Sequence, residues 1–343
     1  MLSLSPTPEQ QQITDAVRDV LTSEWPIDRF RQAGGAGDAG RWQTLPDLGV
    51  LGMGLETSYG GLGLSAIEEA LAFREFGRFL VPPRILATVL GARVAAAAGC
   101  AQLCASMLAG QVVVGILNAV SEPSLGVHVS GRFLVVDGAE CDVLLAWSPS
   151  GAALVSRSTA QPTASRKSMD ETITVESCEL KEAEALAWVD AADEPVYLRA
   201  DTLLAAMLVG IAEATRDMAA HYATLREAFG QQIGEFQAIK HRCADTAVQA
   251  EAAWCQTLVA AIGLRDAANH ARDDVTLDVA AARWIATRAA QANAESNIQV
   301  HGGIGFSAEA DPHRYVKRAV VLGQLGVLGR MLSADLLAPA SAN

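Results

Sequence analysis

From Pro195 onward the chain keeps one helical pattern, and this restricts the fold more than any other feature. Leu203, Leu204, Met207, Leu208, Ile211, Met218, Tyr222 and Leu225 recur at the spacing of one helix face. That helix is expected to stop near Phe229-Gly230, where glycine suits a helix end. A second helix is expected over about residues 235–270, a third over about 277–301 closing at Gly302-Gly303, and a last over about 312–337. Long helices with short Gly-containing connections predict an antiparallel four-helix bundle.

Upstream the pattern changes twice. Thr7 can cap a helix that has Pro8 at its first position and Gln10 to complete a capping box. Ile13, Ala16, Val17, Val20 and Leu21 then mark its apolar face. A Gly-rich loop over Gly34 to Gly40 and helical segments around 42–48, 65–79 and 86–108 follow. Gly60-Gly61-Leu62-Gly63 reads as a turn between helices; it follows no strand, so it is not a dinucleotide fingerprint. From Gln111 the segments 112–117, 127–136, 143–147, 153–156 and 172–177 are short and β-branched. Ser130-Gly131 and Asp137-Gly138 read as turns, and Arg157 to Asp170 as an exposed loop. The expected class is α+β, mostly α, with a helical domain at 1–110, a small β domain at 111–195 and a helical bundle at 196–343.

Composition narrows the partners. The 343 residues carry a formal charge of −13, which disfavours nucleic acid and anionic lipid. Hydrophobic residues are 50% and charged ones 19%, which excludes a disordered chain. The most apolar stretches, such as Leu203 to Ala212, fall short of the ~20 residues a membrane span needs. Met1 to Gln12 lacks the charged and apolar regions of a secretory signal. The six cysteines form no CxxC, so buried thiols are expected rather than zinc or disulfides. These features together predict a cytoplasmic setting.

Two segments could carry chemistry. In YATLREAFGQQIGEFQAIKHRCAD, Arg226 stands beside a glycine turn, where its planar fork of donors can reach an anion, and Gln237 follows Phe236. In QVHGGIGF, the paired glycines Gly302 and Gly303 permit close backbone approach to a ligand, and Gln299 adds an amide. Taken singly, each also reads as a surface ion pair or a helix terminus.

Taken together they resemble the acyl-CoA dehydrogenase family, and the likeness runs over nearly the whole chain: LSPTPEQQQ, LGVLGMGLETSYGGLGLS and EFGR at Glu75 to Arg78, then REAFGQQIGEFQAIKH and QVHGGIGF. The resemblance implies FAD-dependent α,β-dehydrogenation of an acyl-CoA thioester, with electron-transfer flavoprotein as the acceptor. It further implies that Arg226, Phe229, Gln237, Gln299, Val300, His301, Gly302 and Gly303 bind the diphosphate and adenosine portion of an FAD held by a neighbouring subunit.

The sequence departs from that family where the chemistry would be. The usual catalytic Glu falls some twenty residues after the Gly-Gly loop, near Gly326 here, and no acid occurs from Val316 to Ala334. The alternative position falls at Ala200; adjacent Asp201 is rotated by ~100° on a helix and reads as a solvated helix-start acid. The TEPxxGSD motif survives only as Ser121-Glu122-Pro123-Ser124, and the WIT-like segment is missing. Ser121 keeps a hydroxyl where the family's Thr bonds the flavin. Elements that cradle a chain's own flavin are thus degraded, whereas those lent to a neighbour are intact. The expectation is one subunit of a hetero-oligomer, a heterotetramer with a related chain that supplies the Glu, as in short paired members that act on sterols and other bulky rings. A silent scaffolding subunit is the alternative, and a homo-oligomer using Asp201 a third reading. The histidines form no catalytic set, and Glu68-Glu69 and Asp273-Asp274 read as solvated faces.

Overall fold

The computed structural model describes residues 4–32, 39–267 and 275–329. The expected loop at Gly34 to Gly40 lies largely outside these residues. So do Asp273-Asp274 and the ends of the second and last long helices.

The first element is α1 (Pro8–Glu24), opened by the capping box: the Thr7 hydroxyl accepts from the Gln10 amide, and Gln10 answers to the Thr7 N–H. Its buried line is Thr14, Val17 and Leu21; Ala16, expected on this face, is exposed. The short helices α2 (Arg29–Gln32) and α3 (Thr44–Asp47) lead to α4 (Ala66–Arg78). The segment expected at 86–108 is two helices, α5 (Arg84–Ala97) and α6 (Ala101–Leu108), parted at Gly99 with φ +74°.

The middle strands are β1 (Val114–Ala119), β2 (His128–Val136), β3 (Val143–Ser148), β4 (Gly151–Ser156), β5 (Pro162–Arg166) and β6 (Val175–Asp190). Around the ring, β2, β1, β3, β4 and β6 pair in order, and β6 returns to pair with β2, closing a barrel. Among the described strands, only the β1–β3 contact is parallel. Three expectations are corrected here. The Arg157 to Asp170 segment is not all loop, because β5 pairs with β6 as an exposed edge strand. Ser130-Gly131 is not a turn but lies inside β2, where the register with β6 shifts. The last strand starts at Val175 and continues to Asp190, since its two halves serve different neighbours, β2 and β4.

The helical region returns with α7 (Val196–Leu225). A two-residue ladder, β7 (Glu227–Ala228) with β8 (Gln231–Gln232), precedes α8 (Gln237–Ala267), α9 (Val275–His301) and α10 (Pro312–Gly323). The expected order of helices, β domain and helices is the observed one. The stop expected at Phe229-Gly230 is instead a hairpin turn, with φ +53° and +81° at its two central residues, and α7 ends at Leu225. The last helix, expected to run past 330, breaks after Gly323.

By their contacts the residues fall into two compact units. The first contains residues up to Arg41, Ala66–Val81 and Thr202–Leu322. Here α4 and α7 touch backbone to backbone: a Cβ on Gly77 would lie 1.9 Å from the Met207 carbonyl oxygen, and one on Gly210 1.9 Å from that of Arg74. Charged side chains frame the crossing. Arg74 grips the buried Glu213 with two bonds of 2.6 and 2.7 Å. Arg18 does the same for Glu75, which is fully buried. The carbonyls that follow α4 are held by buried arginines: Arg29 donates to Phe79 and Leu80, Arg318 to Leu80 and Val81. Glu69, expected to be solvated, is 2% exposed on α4, and Glu68 accepts from Gln10.

The second unit contains Trp42–Ser65, Pro82–Asp201 and the residues after Leu322. Its barrel is filled by Leu117, Val129, Phe133, Val135, Leu144 and Leu180 among others. Arg84, at the start of α5, pairs with the buried Asp137 at 2.7 Å. All six cysteines are free thiols, three of them buried. Burial pushes the Cys141 thiol up to about 12 and that of Cys178 up to about 11.

Candidate functional site

The two sequence segments meet at one end of the helical unit. The last two turns of α7 carry Ala219, Tyr222 and Ala223; small side chains there admit Val300 of α9 and, beside it, Ile233 and Ile239. Arg226 follows directly, with its N–H bonded to the Tyr222 carbonyl at 2.9 Å and its own carbonyl bonded to the Ile233 N–H at 2.8 Å. Its backbone is thereby fixed on both sides, while its side chain is exposed. Phe229 forms the tip of the hairpin, 97% exposed, with its ring edge-on to Phe236 at 6.2 Å. Gln237 opens α8, where first-turn N–H groups lack helical acceptors, and its side chain is exposed.

The opposite wall is the end of α9. Gln299 is exposed, whereas the Val300 side chain is buried, so Val300 offers a ligand only its backbone. His301 is half-buried. Its ring stacks on Tyr222 with centroids 4.1 Å apart and planes 21° apart. Nδ1 lies 2.9 Å from the Asn297 carbonyl, which can only accept, so Nδ1 carries the proton. Burial holds the imidazole below its ordinary pKa. Gly302, with φ +66°, and Gly303 form an exposed turn where an added Cβ would meet nothing within 4 Å. An exposed guanidinium, two exposed carboxamides and open backbone thus lie on these adjoining segments, a donor set suited to an anion with a polar, planar appendage.

Tyr222 and Asn297 were not singled out as site residues by the sequence. Their signal is positional: Tyr222 stands one turn before Arg226, and Asn297 one turn before His301.

The other candidates lie elsewhere. Ser121 belongs to the barrel unit, exposed between β1 and the bridge that joins Ser124 to Ser130. Gly326, the expected place of the base, has φ +77° and no side chain; its N–H donates to Asn118 Oδ1 at 2.9 Å. Asp201 is not a solvated helix-start acid: it lies within α7 and is 1% exposed, because that helix begins before it, at Val196. No group of three His, Cys, Asp or Glu among the described residues could hold a metal ion. No described helix is long and apolar enough to cross a membrane.

Comparison with known proteins gives the family. Residues 7–110 match the acyl-CoA dehydrogenase N-terminal domain and residues 201–326 the acyl-CoA dehydrogenase C-terminal domain. The chain is 30% identical to acyl-CoA dehydrogenase IpdE2 of Mycobacterium tuberculosis, over 94% of each. It belongs to the acyl-CoA dehydrogenase family. The family comprises flavoprotein oxidoreductases acting on CH–CH groups. Acyl-CoA dehydrogenase FadE34 of the same organism is 32% identical, over 86% of this chain and 42% of that one. The fold matches a chain of the ChsE4-ChsE5 complex from M. tuberculosis, with a TM-score of 0.80 at 24% identity over 99% of this chain and 100% of that one.

Proposed function

We propose that this acyl-CoA dehydrogenase chain works as one subunit of a hetero-oligomer, whose related partner holds the flavin ring and supplies the catalytic Glu. One observation carries the reading: the position expected for the base is Gly326, a residue without a side chain, on a segment with no acid from Val316 to Ala334. The alternative, Asp201, is buried. Meanwhile the donors Arg226, Gln237 and Gln299 are present and exposed on the helical unit.

Those donors fit the diphosphate and adenosine portion of FAD. Arg226 would pair with the diphosphate, the Gly302-Gly303 backbone would approach it closely, and Gln237 and Gln299 would bond its polar edges. When bound, FAD supplies the hydride acceptor for α,β-dehydrogenation. The α-proton goes to a carboxylate, which in this reading the partner provides. In the proposed division, Ser121 of the middle domain at 111–195 is exposed and keeps the hydroxyl that would bond a flavin. Two comparisons support a paired arrangement: FadE34 is more than twice the length that aligns with this chain, and a chain of the two-component ChsE4-ChsE5 complex shares its fold. The proposed substrate is an acyl-CoA thioester, and the proposed acceptor an electron-transfer flavoprotein.

Flavin content and native mass test the reading, for the chain alone and co-expressed with the related chain encoded nearest to it. The expected result is flavin-free protein alone and one flavin per two chains in a mixed complex. A yellow, fully loaded homo-oligomer would overturn it.

A further inference from the structure

The site's two walls come from segments more than sixty residues apart, and little at the surface holds them in place. Gly302 and Gly303 have no neighbour within 4 Å of a Cβ position, and Phe229 is almost wholly in solvent. Each wall has its own backbone bonds, so what relates one wall to the other is the packing beneath them. Beneath them, Tyr222 lies one turn before Arg226 and bonds its N–H through the backbone, while His301 is the residue before Gly302. The two rings stack at 4.1 Å, and the His301 ring is oriented by the Asn297 carbonyl.

We infer that Tyr222 is a positioning residue whose stack on His301 sets the spacing between Arg226 and the Gly302-Gly303 turn, and so the affinity for a dinucleotide diphosphate. The inference rests on the proposed role of that surface in binding FAD. The stack is suited to the task. Offset aromatic pairs have preferred separations and angles, so one pair fixes both the distance and the tilt of two helix ends. Val300, Ile233 and Ile239, packed beside it on Ala219 and Ala223, bring the helix ends together but carry no planar ring to set their tilt. A displacement of about 1 Å in a supporting residue is enough to weaken a site whose groups must act together.

The test uses the co-expressed complex, stripped of flavin and titrated with FAD, ADP and FMN, with the thermal midpoint recorded for each variant. Tyr222→Leu fills the volume without a ring and should weaken FAD and ADP by about tenfold while leaving FMN binding unchanged. Tyr222→Phe keeps the stack and should bind within about twofold of the parent. Combining Tyr222→Leu with His301→Leu should cost no more than the worse single change, because both remove one interaction. Wild-type ADP affinity in Tyr222→Leu, additive losses in the pair, or failure of Tyr222→Phe to restore binding would each overturn the inference. Should Tyr222→Leu not fold, His301→Leu set against His301→Phe makes the same comparison from the other ring. Arg226→Ala separates the two levels of the argument. If it leaves FAD affinity intact, the underlying reading fails. If it abolishes binding while Tyr222→Leu keeps the parent affinity, only the positioning role fails.

Discussion

His301 is held on two sides at once, by the Tyr222 ring and by the Asn297 carbonyl, and both contacts are compatible with a neutral imidazole. Burial lowers its pKa below the ordinary 6.5. The sign follows from linkage: as pH falls below about 6.5 the unfolded chain takes up a proton that the folded one resists, so stability decreases on the acid side. An NMR titration should place the His301 midpoint below 6.5. His301→Phe should flatten the loss of thermal midpoint between about pH 7 and pH 5. Cys141 makes a second, simpler expectation. With its thiol raised to about 12, it should resist alkylation at pH 8 in the native protein and react on unfolding. At this scale the motif residues were legible, because Arg226 to Gln237 and Gln299 to Gly303 are contiguous strings. Their orientations were not. That Val300 faces inward and that His301 meets Tyr222 depend on how α7 and α9 approach, and no spacing within one helix specifies that.

The crossing of α4 and α7 depends on two absent methyl groups. At Gly77 and at Gly210 an added Cβ would collide with a backbone carbonyl of the other helix, which cannot rotate away as a side chain could. Gly77→Ala or Gly210→Ala should therefore destabilise the protein by about 3 kcal/mol, despite alanine's better helix propensity, measured by urea unfolding. A matched Ala at the exposed Gly303, where nothing lies within 4 Å, should leave stability close to the parent value. Among the elements, long helices were read well because their apolar period persists for several turns. The barrel was read as a set of strands and no more. Its closure depends on β6 serving β2 with one half and β4 with the other, a division that alternating burial does not announce. Strand β5, exposed at every residue, has no apolar alternation at all and so looked like a loop. The stop of α7 was misplaced because Phe229-Gly230 turns a hairpin, and a glycine suits either purpose.

For the molecule as a whole, Asp201 gives a direct check on the source of the base. If the partner supplies the Glu, Asp201→Asn in the complex should retain turnover per folded, flavin-loaded molecule within about twofold. A fall of a thousandfold or more would return the base to this chain. The family and the order of domains were legible from end to end, since helix, strand and helix periods succeed one another along the chain. The two-unit grouping by contact was not, because it joins α1 and α4 to helices well over a hundred residues downstream.

One consequence concerns supply rather than chemistry. Phe229 is 97% exposed, Phe306 74% and Leu225 65%, on or beside the segments proposed to meet a neighbour's flavin. A chain made in excess of that neighbour would leave large apolar side chains open to whatever else it meets. Matched synthesis of the two chains would then matter as much to the yield of working enzyme as any residue in the site.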